Sequence, residues 1–399
     1  MTDTRRQSPS GLRAVTGRIG SIAGHHQSLT ILVGLALVGA LLPLSSAVPP
    51  FSGFGTQKDW VGGFADAGVF VLLAVGLNVV VGFAGLLDLG YAAFFAIGAY
   101  TYAYGASTFT GLQTPFWIML VAGAVVAAVF GITLGAPTLR LRGDYLAIVT
   151  LGFGEIVPVV ALNADTYTRG TNGIVGLAQP NAYGLFGITS FPITNPWPWY
   201  ITVLGIIAIA FMILYRLEDS RLGRAWVAIR EDELAAASMG INTISTKLLA
   251  FAIGASTSGL GGVFYAAKLG VVDPTQFHFD VSFTVLAMVV LGGMGNIWGV
   301  AVGAFVIFEI QHQGLKQLGA FIQSLNLPVF QVPVLGSVDL GGINFLKFQF
   351  LLYGLALVAM MLLRPEGLFP SRQRRHELHE VAEESEEAAE DTSEAVKGA

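Results

Sequence analysis

Long apolar runs broken by short polar segments fill the chain from residue 29 to residue 363. A helix needs about 20 apolar residues to cross a hydrocarbon core of roughly 30 Å. Runs of that order lie at 29–47, 63–82, 86–107, 115–136, 145–163 and 199–215, then at 247–267, 281–294, 297–312 and 346–363. As one helix, Val281 to Ile310 would measure about 45 Å at 1.5 Å per residue, too long for one ordinary crossing. Gly292, Gly293, Gly295 and Gly299 in its middle predict a break there. The pattern predicts an all-α polytopic membrane protein of about ten transmembrane helices.

Charge placement sets the expected orientation. With the N-terminus cytoplasmic, Arg5, Arg6, Arg13, Arg18, Arg140, Arg142, Arg216, Arg221, Arg224, Arg230 and Lys247 fall inside. So do Arg364, Arg372, Arg374, Arg375 and Lys397, which leaves only Lys58, Arg169, Lys268, Lys316 and Lys347 outside. This obeys the positive-inside rule and requires an even number of spans, because both termini are basic. Both termini are therefore expected to be cytoplasmic. Residues 1–28 read as a basic cytoplasmic segment and 29–370 as the transmembrane domain, with a cytoplasmic loop at 216–247. The first apolar run is read as an uncleaved helix, since the polar stretch before it is long for a signal peptide.

Composition agrees: 54% of residues are hydrophobic and only 12% charged, about half the roughly 25% of soluble domains. The net charge of −5 comes from the end of the chain, where nine of the 26 acids lie between Glu377 and Glu394. Residues 371–399 read as an acidic, disordered cytoplasmic tail. Cysteine is absent, which excludes disulfides and thiolate chemistry. The six histidines stand at 25, 26, 278, 312, 376 and 379, unclustered, and no phosphate-binding Gly-rich loop or HExxH is present. Neither a metal centre, nor an enzyme active site, nor a nucleic-acid partner is expected.

Three stretches are more specific than lipid-facing helix. In the first, Gly76 to Tyr100, glycines at 76, 82, 85, 90 and 98 allow close backbone approach, and Asn78 and Asp88 sit amid apolar residues. A carboxylate at the bilayer centre costs about 2.5–3.5 kcal/mol on insertion scales, so Asp88 should face protein, water or an interface, or cap the third span. The second is Pro137 to Glu155, in which Asp144 is placed to cap the fifth span. Glu155 lies mid-span, three residues before Pro158, where it either lines a cavity or bonds to a neighbouring helix. A turn-forming run, Thr171 to Gly176, follows outside. The third stretch, Ser220 to Gly240, predicts a cytoplasmic helix over Arg224–Met239 stopped by Gly240. Trp226, Ile229 and Glu233 share one face, with Arg230 beside Glu233, a display suited to docking on a soluble partner.

Together these stretches resemble the LivM-type permeases of branched-chain amino-acid ABC importers. The resemblance rests on GLNVVVGFAGLLDLGY at 76–91, LRLRGDYLAIVTLGFGE at 139–155 and GRAWVAIREDELAAASMGIN at 223–242. It extends through Gly254–Gly262 and Val290–Asn296 to Arg364–Phe369. It implies that the cytoplasmic loop is a coupling helix related to a Glu-Ala-Ala motif followed by three residues and glycine. Here that stretch is Leu234-Ala235-Ala236 with Gly240, and Glu233 stands one position early. Arg224, Trp226, Arg230, Glu231, Asp232, Glu233, Ala235, Ala236 and Gly240 are the implied ATPase-coupling residues. The resemblance also implies a LivH-type partner permease, two ATP-binding subunits, an extracytoplasmic binding protein and a plasma-membrane location. This chain would bind no cofactor, ATP being hydrolysed by the partner.

Asn78, Asp88, Glu155, Gly292 and Gly293 are the candidate pathway residues, since paired glycine interruptions in two halves of a transporter can mark the substrate region. A urea or short-chain amide permease shares the overall pattern. A secondary carrier would draw on Asp66, Asp88, Glu155 and Glu309 for ion coupling and would not need the 223–242 helix.

Overall fold

The computed structural model describes residues 39, 57–139, 144–180, 191–192, 194–314, 330–332, 336–338, 349–363 and 368. Residues 1–28, nearly all of the first expected span, Arg140, Arg142 and the acidic tail lie outside the described residues, and so do both termini. The helices are α1 (Gln57–Asn78), α2 (Tyr91–Gly105), α3 (Phe116–Thr138), α4 (Asp144–Asn163), α5 (Trp197–Glu218) and α6 (Arg221–Glu231). They continue as α7 (Glu233–Ser238), α8 (Thr243–Leu269), α9 (Phe279–Gly292), α10 (Ile297–Glu309) and α11 (Gln349–Leu363). Six helical spans among the described residues are long and apolar enough to cross a membrane: 58–83, 116–138, 145–163, 197–218, 243–269 and 274–292. The chain is a multi-pass membrane protein.

Two helices organise the bundle. The first, α1, packs on α5, α8, α9 and α10 and is apolar all round, as a helix surrounded by others should be. The second, α8, packs mainly on α2 and α3. Gly123, Ala127, Gly131 and Gly135 recur every fourth residue on α3 and are buried. A Cβ at Gly123 would stand 2.3 Å from Val263 Cγ2, and one at Gly131 2.7 Å from Ala255 Cβ. Side-chain volume there would push the helices apart, so this stripe sets the close α3–α8 approach. The other side of α3 exposes Ile118, Val121, Val125, Val129 and Ile132, an apolar stripe of the kind a membrane-spanning helix turns away from its bundle.

The third expected span, 86–107, is corrected. Helix α2 begins only at Tyr91 and has 15 residues, while α1 runs through a π turn, Val79–Phe83, into a non-helical segment at 84–90. Gly85, at φ +68°, takes a backbone conformation that opposes continuing the helix. Tertiary contacts supply the bonds that helix would have made: Leu89 N donates to Thr150 Oγ1 at 3.1 Å and Ala92 N to Ser282 Oγ at 2.8 Å.

The break in the long apolar run at 281–310 lies where the glycines place it. Gly293 has φ +113° and Gly295 φ +82°, and Asn296 Oδ1 caps α10 by accepting from Trp298 N at 3.1 Å. The 13-residue α10 is shorter than an ordinary crossing and passes into a π turn at Ile310–Gly314. At the other end of α8 from helices α6 and α7, Thr171–Gly176 turns as expected and Ile174–Val175 (β1) pairs antiparallel with Val271–Val272 (β2). A second small ribbon, β3 (Phe330–Val332) with β4 (Gly336–Val338), is likewise outside the helices. Near β2, Lys268 pairs with Asp66 at 2.6 Å, so one of the four carboxylates available for ion coupling is held by a cation.

Candidate functional site

The polar segment between α5 and α8 folds as two helices, where the sequence predicts one over Arg224–Met239. Ser220 opens α6, its Oγ accepting from Leu222 N at 3.1 Å and Gly223 N at 3.3 Å. Asp232 then leaves helical geometry, with φ −149° and ψ 109°, and caps α7 by accepting from Leu234 N at 2.8 Å and Ala235 N at 3.0 Å. A carboxylate able to satisfy the free amides of a new helix competes with continuing the old one, which explains the break. Gly240, at φ +86°, ends the pair as the sequence predicts.

The orientation of this pair corrects the expected docking face. Trp226 is wholly buried, its Nε1 donating to Thr246 O at 2.7 Å, and Ile229 and Ala236 are buried with it. Glu233 turns to the same side and pairs with Lys247 at 2.6 Å. The large residues at i and i+3 are thus the helix's anchor to its own bundle. What α6 and α7 display instead is Arg224, Glu231, Asp232, Leu234, Ala235, Met239 and Gly240. Leu234 is 68% and Met239 84% exposed, large apolar side chains on a strongly polar segment.

Arg230 points inward as well. Its Nη1 donates to Gly82 O at 2.7 Å, in the π turn that ends the first long helix. The carbonyls at a helix end lack intrahelical partners and carry partial negative charge, so a guanidinium is well suited to that position.

Asn78 is wholly buried at the head of the same π turn, and its Oδ1 accepts from Gly295 N at 2.9 Å. A Cβ at Gly82 would lie 2.1 Å from Asn78 Oδ1 and 2.6 Å from Gly295 N. The two glycine-rich interruptions, one per half of the sequence, therefore touch, and Asn78 joins them. Gly292 ends α9 and Gly293 opens the turn so joined, and a Cβ at Gly292 would stand 2.8 Å from Gly299 O.

Asp88 and Glu155 lie apart from that junction. Asp88 is buried, with Oδ1 accepting from Gly90 N at 2.9 Å and Oδ2 lacking a hydrogen-bond partner among the described residues. This is a local turn ahead of α2; the cap on the helix's own first turn comes from Ser282. A small cavity beside Asp88 is lined by Thr138, Thr150, Phe153 and Phe251. Glu155 is exposed on α4, and its Oε1 accepts from Phe279 N at 3.2 Å. It is a helix-to-helix bond that places a carboxylate on the first turn of α9, where the helix dipole favours it. Sequence reasoning missed Ser282, Thr150 and Lys268; hydroxyls and a lone lysine give no signal until their partners are known. Among the described residues no group of three or more His, Cys, Asp or Glu could hold a metal ion.

Interrupted helices meet inside a multi-pass bundle, with a capped polar helix pair attached to them, an arrangement that fits the permease class to which similarity to known proteins assigns the chain. Residues 60–363 match the family described as "Branched-chain amino acid transport system / permease component", and the chain belongs to that family. It is 38% identical over 319 residues to the high-affinity branched-chain amino acid transport system permease protein LivM of Salmonella typhimurium, covering 76% of this chain and 68% of the relative. The LivM of Escherichia coli is equally similar, 38% over 319 residues with the same coverage. The LivH permease of Salmonella typhimurium is 26% identical over 249 residues, covering 60% of this chain and 79% of the relative. No solved structure matches the chain.

Proposed function

We propose that this chain is the LivM-type half of an ATP-driven importer of leucine, isoleucine and valine in the plasma membrane. The observation that carries the reading is the match over 60–363 together with 38% identity to permeases whose names specify that transport system. Its pathway is shared with a LivH-type permease. The importer carries two ATP-binding subunits, one of which docks on the cytoplasmic helix pair of this chain, and an extracytoplasmic protein delivers the substrate. The chain itself binds no cofactor and catalyses no reaction. Bilayer lipid is its remaining partner, and nucleic acid is none. In this reading, ATP-driven closure moves the helix pair and switches the pathway between outward-open and inward-open arrangements, which needs an element with two stable positions. The two joined helix breaks are suited to that part.

Uptake of labelled leucine by cells with and without the gene tests this. Uptake lost on deletion, competed by isoleucine and valine, and retained after collapse of the proton gradient is the expected result. Loss of urea or amide uptake instead would overturn the substrate. Leucine uptake that dies with the proton gradient while ATP stays high would overturn ATP coupling.

A further inference from the structure

We propose that Arg230 is a positioning residue of the transport cycle, a strut that couples movement of the cytoplasmic helix pair to the two helix breaks, and not a contact for the ATPase. The inference deepens the proposed function and rests on it. Three observations carry it. First, the guanidinium is bonded inward: Nη1 meets Gly82 O at 2.7 Å across 148 residues of sequence. Second, the aliphatic stem of Arg230 lies flat on the non-helical segment. A Cβ at Gly85 would stand 2.5 Å from Arg230 Cγ and 3.2 Å from its Cβ, and Gly85 holds φ +68° at that contact. Third, the residue that receives the arginine bond is itself wedged against the second break. Gly82 has no room for a side chain between Asn78 Oδ1 and Gly295 N, and those two atoms are bonded at 2.9 Å.

A continuous path of close contacts therefore runs from α6 through Arg230, the 79–83 π turn and Asn78 to the 293–296 turn between α9 and α10. Beyond Arg230, whose stem is held against Gly85, each step is backbone or the short buried side chain of Asn78, with little slack to absorb a displacement. The anchoring of α6 by Trp226 lies one turn away, on the preceding part of the same helix, so movement of the pair must be felt at Arg230. A guanidinium suits the role because its planar fork fixes direction as well as charge, which an ammonium does not. A physical warrant for coupling is an element both ends can bias, and here the π turn is bonded from both sides.

The test uses the assembled transporter, this chain with its partner permease and ATP-binding subunits, reconstituted with its binding protein in proteoliposomes. Arg230→Met keeps the stem and removes the donors. The expected result is ATPase co-purification at the wild-type ratio with leucine imported per ATP hydrolysed reduced about tenfold, within the range for coupling residues remote from ligands. Arg230→Lys should recover part of that ratio. Leu234→Glu, on the exposed face, should instead reduce co-purification. Loss of co-purification in Arg230→Met would overturn the proposal in favour of direct docking. An unchanged import-to-hydrolysis ratio would also overturn it, whether or not both rates fall together. If Arg230→Met does not reach the membrane, Arg230→Gln carries the same ratio measurement. Failure of the wild-type chain to co-purify with any ATPase would sink the proposed function itself, an outcome distinct from all of these.

Discussion

The two short polar helices, 221–231 and 233–238, are consecutive in sequence and opposite in what they do with their side chains. Helix 221–231 sends its aromatic and β-branched anchors and one arginine inward: Trp226 is fully buried, Ile229 nearly so, and Arg230 reaches the end of the first long helix. Helix 233–238 and the turn after it send theirs outward, with Leu234 and Met239 among the most exposed apolar side chains described. Asp232 is the hinge between them, capping the second helix while ending the first. A single straight helix could not do both, because one apolar stripe faces one direction. The difference separates two parts: the first helix is the root of the segment in the bundle, and the second is the exposed face that the proposed ATPase docking would use.

Trp226→Ala should have the largest effect on that comparison. It removes a fully buried aromatic and leaves the Thr246 carbonyl without its donor, a change of about 3–5 kcal/mol for a buried Trp truncation. A marked fall in the melting temperature of the detergent-solubilised protein checks it; an unchanged melting curve would show that α6 is not rooted as described. Met239→Glu should be next, and should act differently. Stability should hold, while ATPase co-purification weakens about tenfold, equivalent to about 1.4 kcal/mol. If stability fell and co-purification did not, the two helices would have the reverse roles.

Asp232→Ala sharpens the boundary between them. Loss of a cap costs about 1 kcal/mol, so hydrogen exchange at the Leu234 and Ala235 amides should quicken about fivefold, with little change in α6. The smallest effect is expected for the Glu233–Lys247 pair, whose carboxylate side chain is 36% exposed and whose lysine is 9% exposed. A double-mutant cycle with Glu233→Gln and Lys247→Met should give a coupling of about 0.2–1 kcal/mol, reduced at high salt.

Much of the frame was legible before any contact was known. Hydropathy located spans such as 115–136 and 145–163 within a few residues of the helices found, because burial in lipid demands a long apolar run wherever the helix sits. The glycines at 292–295 announced the break between α9 and α10 for a local reason, backbone freedom. At 84–90 the same reading failed: an apolar run resembles a helix whether its amides bond within the segment or to Thr150 and Ser282. The candidate site divided along the same line. Asn78 and the glycines at 292–293 belong to one junction, while Glu155 is a helix-to-helix bond elsewhere.

The sequence alone determined that this is a multi-pass membrane protein, which family it belongs to, and where the break between α9 and α10 falls, because hydropathy and backbone freedom are properties of neighbouring residues. Only the tertiary structure decided which way Trp226 and Arg230 point, that helix 221–231 stops at Asp232, and that the two interruptions are one junction. Residues 78 and 295 are 217 positions apart, and no local pattern encodes a hydrogen bond between them. It exists because packing α1 against α9 and α10 brings a buried amide oxygen to a freed backbone N–H, and each satisfies the other.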